Sequence, residues 1–221
     1  MCIRDSEYGN AYKEAKEVVD ATYSTGSTST ASCFNFSNSL TTNRKDYNSI
    51  IMTFFKSTCY EDYLPYMTKG NDVVLVVNTT NLFGDEAGAD DRNLDLFGDW
   101  DGGDIKYSFK YDIKEGTSGT DMIPAIRLSE MYYIMGEYFA YKDEFSKAGE
   151  MLDKVRYARG ISTTNLASSI GSLEVFHTHL IKEMRREFVG EGQMFFQYKR
   201  LDQKPKDNVV FVFDKPNNED I

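Results

Sequence analysis

The pattern of apolar residues in the first part of the chain predicts a helix, a second helix rich in aromatic residues and a short strand. Between residues 8 and 22 they recur every three or four positions, which predicts a helix with one apolar stripe. The Ser/Thr/Gly-rich stretch 22–32 predicts an exposed loop. Residues 47–66 are crowded with aromatic rings and predict a helix that breaks before Pro65. The apolar run 73–77, bounded by Asn and Asp, predicts a buried strand.

The pattern changes in the second half of the chain. Residues 84–104 are rich in Gly and Asp and predict a long loop. Apolar and polar residues then alternate over 105–113, which predicts a half-buried strand with its lysines exposed. From Pro124 the apolar residues recur with a period of 3.6 residues, which predicts helices from there to Gly190.

Three helices are predicted after Pro124. The first is lined by Ile126, Met131, Ile134, Met135 and Tyr138, and the second by Phe145, Ala148, Leu152, Val155 and Ala158. The second ends at Gly160, and residues 141–144 join the two into a hairpin. The third runs from the N-cap Ser172 to Gly190 and is expected to pack against the other two.

Two of the predicted helices share a short pattern. Residues 15–20 and 148–153 both have Ala, any residue, Glu, two apolar residues and Asp. A small residue followed by a large apolar pair is typical of the second helix of a tetratricopeptide-type hairpin, where it packs closely on the first helix. The pattern therefore predicts parts of two such repeats.

Composition limits the classes of partner. The 221 residues include 25 Lys and Arg against 35 Asp and Glu, a net charge of −10, and a chain this acidic repels nucleic acid. The 41% of hydrophobic residues is enough for a sizeable core. The longest wholly apolar run is far shorter than the roughly 20 residues that a membrane-spanning helix needs. The spacing of Cys2, Cys33 and Cys59 matches neither a zinc site nor a redox pair.

The last hundred or so residues resemble the C-terminal half of a SusD/RagB-family protein. The resemblance rests on IPAIRLSEMYYIMGEYFA (123–140), AGEMLDKVRYARGI (148–161), EMRREFVGEGQMFFQYKRL (183–201) and VVFVFDKPNNEDI (209–221). The order of an Ile-Arg-Leu-x-Glu-Met helix, a Val-Arg-x-x-Arg-Gly helix end and an Arg-Arg-x-Glu-Phe-x-Gly-Glu-Gly helix end is specific as a set.

The resemblance implies a mainly α fold of tetratricopeptide-like helical hairpins, with a small β element and long loops. It also implies a division into 1–22, the end of a helical repeat; 23–120, a loop-rich ligand-binding region with short strands; and 121–221, a C-terminal SusD-like helical region. Because family members are longer, the chain is expected to be partial, with the lipid anchor on a missing N-terminal part.

The resemblance further implies a place and a role. Family members are surface-exposed outer-membrane lipoproteins of Bacteroidota-type bacteria. They form a lid on a SusC-like TonB-dependent transporter and capture glycans or other nutrients. The expected partners are therefore a glycan ligand and that transporter, with membrane attachment only through the lipid anchor.

The charged residues at the end of the third helix are expected to have a structural role and not a catalytic one. Glu183, Arg185, Arg186, Glu187 and Glu191 can form a salt-bridged group, and Arg127 and Glu130 are natural partners for a buried network. Asp85, Glu86, Asp90 and Asp91 could supply the two carboxylates of a glycoside hydrolase, but they are expected in a solvated loop. No nucleophile, phosphate-loop or dinucleotide motif is present, so no catalytic residue and no enzyme activity are predicted.

Metal binding is also not predicted. His177 and His179 are two residues apart and point to opposite sides of a helix, which does not suit zinc. Asp99, Asp101 and Asp104 are spaced like the start of a calcium loop, but Asp104 and Lys110 stand where an EF-hand needs Gly and Glu. The sequence therefore predicts no cofactor, and calcium in an irregular loop stays open as an alternative.

Exposed aromatic rings remain as candidates for sugar binding, because flat rings cover apolar sugar faces while amides and carboxylates bind hydroxyls. Trp100 is the first choice, since its glycine neighbours leave it few local packing partners, and Asp101 adjoins it. The other candidates are Tyr47, Asn48, Tyr63 and Tyr66. The predicted function is oligosaccharide binding for uptake; the alternatives are a helical-repeat scaffold that binds protein and, third, a glycoside hydrolase.

Overall fold

The computed structural model describes residues 8–25, 29–40, 44–56, 76–99, 102–108, 110–111 and 122–201. The first elements are α1 (Tyr8–Asp20), β1 (Thr22–Ser24), β2 (Thr30–Ser32), β3 (Ile50–Phe55) and β4 (Val76–Asn78). Next come α2 (Thr79–Phe83), α3 (Asp91–Leu96), β5 (Phe97–Asp99), β6 (Ile105–Ser108) and β7 (Met122–Arg127). The last are α4 (Leu128–Ala140), α5 (Phe145–Ala158), α6 (Leu173–Glu187) and α7 (Met194–Arg200).

The strands form three small antiparallel sheets in the described regions. β1 pairs with β2, β3 pairs with β7, and β6 lies between β4 and β5. Helices dominate the rest, so the prediction of a mainly α fold with helical hairpins and a small β element is confirmed. The predicted division into three segments remains a prediction.

The helical hairpin α4–α5 begins and ends as its sequence signals predict. The two helices are joined by residues 141–144. Gly160 follows α5 with a φ of +82°, a backbone conformation that glycine adopts without strain, and Ile161 N–H donates to the Arg156 carbonyl at 3.0 Å. The hydroxyl of Ser172 accepts from Val175 N–H at the start of α6, as its N-cap role requires.

The main core lies between α4, α5 and α6. It contains fully buried large side chains from each helix, including Tyr133, Leu152, Phe176 and Leu180. α1 packs on the outer side of α4, where Ala15 is fully buried beside Met131 and Met135. The apolar stripes predicted for all four helices therefore face one another in the structure.

Three predicted elements are wrong. The aromatic segment after residue 47 is not a helix: its described part is a 3₁₀ turn, Tyr47–Ser49, followed by β3. The predicted loop 84–104 contains a 3₁₀ turn at Gly84–Glu86, then α3 and β5. The predicted loop 22–32 contains the exposed β1–β2 pair.

The start of the first C-terminal helix also differs from its prediction. Residues 122–127, including Pro124, form β7, and α4 begins only at Leu128. Pro124 is tolerated because β7 pairs on one side only, with β3, among the described strands, so a missing N–H breaks no second ladder. Ile126 consequently lies in the strand instead of the helix.

None of the helices in the described regions is long and apolar enough to cross a membrane.

Candidate functional site

The two described members of the predicted sugar site, Tyr47 and Asn48, lie side by side in the 3₁₀ turn before β3. Tyr47 is half-buried, and burial raises the pKa of its hydroxyl. Asn48 is exposed, and its carbonyl accepts from Asn35 N–H at 2.9 Å. The turn is therefore a fixed part of the surface that presents one amide side chain to solvent.

Asp46 sets the position of this turn. It adopts a left-handed conformation with a φ of 53°, which is uncommon for a residue other than glycine. Its carboxylate accepts from Ser37 N–H at 2.7 Å and from Arg159 Nη2 at 2.7 Å. These two contacts connect the turn to the end of α5 and hold the unusual backbone.

Two exposed rings follow the turn along β3. Phe54 is 60% exposed and Phe55 is 74% exposed, so the usual alternation of buried and exposed side chains fails at the end of this strand. Because a helix was predicted here, Phe54 and Phe55 were not recognised as an exposed pair, although the run IIMTFF is rich in strand-favouring residues. The structure thus adds an aromatic surface that was not among the predicted site residues.

The other four candidates, Trp100, Asp101, Tyr63 and Tyr66, lie outside the described residues. The strands on either side of the first two, β5 and β6, pair in register, with Asp99 opposite Lys106. Gly98 faces the ring of Tyr107 so closely that a Cβ at position 98 would lie 2.7 Å from ring atoms. Whether these candidates meet Tyr47 and Asn48 remains a prediction.

The carboxylate of Asp104, part of the calcium alternative, has a protein partner. It accepts from the Thr80 hydroxyl at 2.7 Å, and the Asp104 carbonyl accepts from Thr79 N–H at 3.0 Å. Over the described regions there is no group of three His, Cys, Asp or Glu side chains arranged to hold a metal ion. The contacts of Asp104 thus fix β6 to the start of α2.

A buried ion-pair network centred on Arg92 joins α3 to α6. Its guanidinium donates to Asp90 at 2.8 and 2.9 Å, to Glu183 at 2.9 Å and to Glu187 at 3.2 Å. Asp90 is fully buried, so the expectation that it lies in a solvated loop is wrong. Asp90 also caps α3 by accepting from Arg92 N–H. A carboxylate held in this way has a structural role.

Glu86 forms the outer edge of the same network. It accepts from Arg186 Nη1 at 2.7 Å and from Arg156 Nη2 at 2.7 Å. Burial by itself would raise the pKa of Glu86, but the hydrogen bond and charge of Arg186, with Arg156 and Lys182, lower it to about 2. Such a carboxyl stays ionised at neutral pH and cannot act as the acid of a glycosidase.

Asp91 differs from its neighbours because its pKa is raised, first by partial burial and then by repulsion from Asp95 and Asp90. Asp90, the adjacent carboxylate, is already bound to Arg92 and is inaccessible. Glycoside hydrolysis needs two carboxylates that flank the substrate. Asp90 therefore cannot serve as the second carboxylate for Asp91.

The turn after α6 carries the second half of the network. Glu191 accepts from Arg127 Nη2 at 2.6 Å, and Lys110 Nζ lies 2.6 Å from the same carboxylate oxygen. Lys110 is buried, contrary to the exposed position that the alternation over 105–113 predicts, and its Nζ also donates to the Glu187 carbonyl at 2.6 Å. The network of Arg127 and the Gly-Glu-Gly turn predicted from the sequence is confirmed.

The comparisons with known proteins bear directly on these motifs. A model of the SusD family matches residues 105–218, just over half of the chain. The chain belongs to the SusD family. Arg127, Glu183, Glu187 and Glu191 all lie in the matched region, whereas their partners Asp90 and Arg92 precede it. The network therefore joins the matched region to the segment before it.

Solved SusD structures share the fold. A SusD superfamily protein from Bacteroides thetaiotaomicron VPI-5482 has a TM-score of 0.62 at 22% identity, covering 93% of this chain and 49% of that one. Surface glycan-binding protein A from Bacteroides uniformis gives 0.62 at 18%, covering 90% and 46%. A SusD-like carbohydrate binding protein from Bacteroides vulgatus ATCC 8482 gives 0.58 at 19%, covering 89% and 42%. The chain thus spans about half the length of these structures. No curated protein matches it.

Proposed function

We propose that the chain binds an oligosaccharide at the bacterial cell surface and passes it to a SusC-like TonB-dependent transporter for uptake. The observation that carries the proposal is the SusD-family match over residues 105–218. Two structural neighbours support it, because one is described as a surface glycan-binding protein and another as a carbohydrate binding protein. We place the chain at the outer membrane, anchored by a lipid on a preceding segment.

The described surface offers groups of the right kind for a sugar. Phe54 and Phe55 present apolar rings, and Asn48 presents an amide near the other end of the same strand. The six residues of β3, Ile50 to Phe55, span roughly 17 Å from the first to the last, a length that suits several sugar units. We propose that Trp100, Asp101, Tyr63 and Tyr66 complete this surface. The chain then acts by binding and not by catalysis.

Calorimetry against a panel of oligosaccharides tests the proposal. Wild-type protein is expected to bind at least one glycan, and Trp100→Ala is expected to weaken that binding at least about tenfold, or about 1.4 kcal/mol. Tyr157→Ala is the control, because Tyr157 is a 47% exposed ring on α5, far along the chain from the proposed surface. Equal losses in both variants, or no binding to any glycan, contradict the proposed site.

The same samples separate binding from hydrolysis. Chromatography of the bound glycan after prolonged incubation is expected to recover it at its original length. Shortened products that disappear in an Asp91→Asn variant would establish a glycosidase. If no glycan binds, retention of a purified SusC-like transporter by the immobilised chain supports the protein-binding scaffold.

A further inference from the structure

The outer face of α7 carries two exposed phenylalanines. Phe195 is 70% exposed and Phe196 is 65% exposed, and their rings contact each other edge to face with centroids 5.4 Å apart. A single exposed apolar side chain is ordinary on a protein surface, but two adjoining large rings form an apolar patch that favours a partner. We call Phe195 and Phe196 the α7 ring pair.

The α7 ring pair is not needed to hold α7 on the protein. On the opposite face of the helix, Met194 is buried in the main core and Tyr198 packs against the same core. The guanidinium of Arg200 donates to the two carboxylate oxygens of Glu137 at 2.7 and 2.8 Å, which fixes the end of the helix to α4. The helix is therefore attached by its inner face, and the α7 ring pair remains available for a further contact.

An apolar segment follows α7 in the sequence. Residues 209–213, Val-Val-Phe-Val-Phe, lie outside the described residues, which end at Leu201. The polar residues Asn208 and Asp214 bound the segment. Five consecutive apolar residues bounded in this way are typical of a buried, extended segment, because leaving them in water forfeits the free energy of burial. The sequence therefore predicts that 209–213 needs an apolar surface to pack against.

The segment can reach the α7 ring pair. Residues 202–208 join it to Leu201, and a connection of this length spans up to about 25–30 Å when extended. The helix rises only about 7.5 Å between Phe196 and Leu201, so the connection is long enough to return along α7. The SusD-family match covers residues 105–218 and so includes both α7 and 209–213. Among the exposed large apolar side chains of the described residues, the α7 ring pair is nearest to the segment along the chain.

We propose that residues 209–213 pack against the α7 ring pair and cover it. In an extended segment alternate side chains point to one side, so Phe211 and Phe213 share a side and lie roughly 7 Å apart. The rings of the pair are 5.4 Å apart, so each phenylalanine of the segment can meet one ring of α7. A contact within one chain is favoured over a second copy, because the short connection gives a high effective concentration. The contact uses no residue of the proposed glycan surface.

Photo-cross-linking of the full chain tests the contact directly. A benzoyl-phenylalanine in place of Phe196 is expected, on irradiation, to link to residues 209–213 of the same molecule, which mass spectrometry of the peptides identifies. The matched control carries the same probe in place of Phe55, which is 74% exposed on β3, and should give no link to 209–213. A mixture of isotope-labelled and unlabelled protein reveals links between molecules. Equal linking from both positions, links from position 196 only to a second copy or to other residues, or no link at all overturns the proposal.

Thermal unfolding measures whether the contact stabilises the protein. Phe211→Ala is expected to lower Tm by roughly 3–6 °C, because it removes one ring that the contact buries. In a Phe195→Ala/Phe196→Ala background the same change should lower Tm by clearly less, since the partner rings are already absent. A Phe54→Ala/Phe55→Ala background, which removes the exposed phenylalanine pair of β3, should keep the full shift. Equal shifts in all backgrounds, or no shift in the wild-type background, would mean that the segment does not pack on α7.

Discussion

Arg127 and Glu191 form a bidentate ion pair in which each side chain is only 1% exposed. Arg127 Nη2 donates to Glu191 Oε1 at 2.6 Å, and Nε donates to both carboxylate oxygens at 2.9 and 3.1 Å. Arg127 also donates from Nη1 to the Lys45 carbonyl at 2.7 Å, and its N–H donates to Glu130 at the start of α4. One residue thus connects β7, α4, the turn after α6 and the segment before β3.

Removing either partner of this pair should destabilise the fold strongly. Glu191→Gln is expected to lower the free energy of unfolding by about 3–5 kcal/mol, because it leaves the buried cations of Arg127 and Lys110 without their carboxylate. Arg127→Met is expected to cost less, because Glu191 keeps its contact with Lys110. Chemical denaturation measures this. The double variant Arg127→Met/Glu191→Met should lose clearly less than the sum of the two single losses. Additive losses would mean that the pair is not coupled as its geometry indicates.

The pairing of Arg127 with Glu191 was predicted from the sequence, because the Ile-Arg-Leu and Gly-Glu-Gly motifs carry opposite charges and each adjoins a predicted helix. It also predicted α1, α5 and α6, with the end of α5 at Gly160 and the start of α6 at Ser172, since these two residues are local signals that act within a few residues. Helix ends are decided by nearby atoms, so one sequence suffices to find them.

The failures have a common cause, which is that distant partners decide the structure. Residues 122–127 form a strand because β3 pairs with them, with Thr53 opposite Pro124, and nothing local announces that pairing. Asp90 is buried because Arg92 and Arg186 neutralise it, and Arg186 lies almost one hundred residues later. Lys110 is buried by the same kind of long-range charge pairing with Glu191. Hydrophobic periodicity carries no information on such contacts.

Gly149 of α5 should tolerate no side chain. A Cβ at this position would lie 2.6 Å from backbone atoms of Leu166 and Ala167, and backbone cannot move aside easily. Asp153 fixes that backbone by accepting from Leu166 N–H at 2.8 Å and Ala167 N–H at 3.1 Å. Gly149→Ala is therefore expected to lower the free energy of unfolding by about 1–3 kcal/mol.

The control for Gly149→Ala is Gly171→Ala, where a Cβ meets nothing within 4 Å. It should change the free energy of unfolding by less than about 0.5 kcal/mol in the destabilising direction. Denaturant titrations of both variants beside wild type give the comparison. Similar losses at the two positions would contradict the close approach of α5 to residues 166–167.

Glu86 should make stability depend on pH in the acid range. Its pKa falls from 4.5 unfolded to about 2 folded, so the unfolded chain binds the extra proton between these values. Its contribution is fully present above pH 4.5 and is lost as pH falls through about 2. The shift corresponds to at most about 3 kcal/mol at neutral pH, and solvent screening of this partly exposed carboxylate reduces the contribution.

Comparing wild type with Glu86→Gln isolates this group from the other carboxylates, some of which have raised pKa values, such as Glu137 and Asp153. The difference in unfolding free energy between the two proteins should be nearly constant from pH 5 to 7 and should shrink steadily below pH 4.5. Asp85→Asn, which changes an exposed neighbour, should show no such trend. A difference that stays constant down to pH 2 would mean that Arg186 and Arg156 do not hold Glu86 as described.

The exposed rings of β3 should contribute to glycan affinity without contributing to stability. Phe55 is 74% exposed, so Phe55→Ala should change the free energy of unfolding by less than about 0.5 kcal/mol. The same change should weaken binding of the glycan identified by calorimetry about threefold to tenfold, because it removes one apolar platform. Phe195→Ala is a closely matched control: Phe195 is 70% exposed and is the same residue type, but it lies on α7. If Phe195→Ala weakens binding as much as Phe55→Ala, or if Phe55→Ala binds as wild type, then the surface next to Tyr47 and Asn48 is not where the sugar binds.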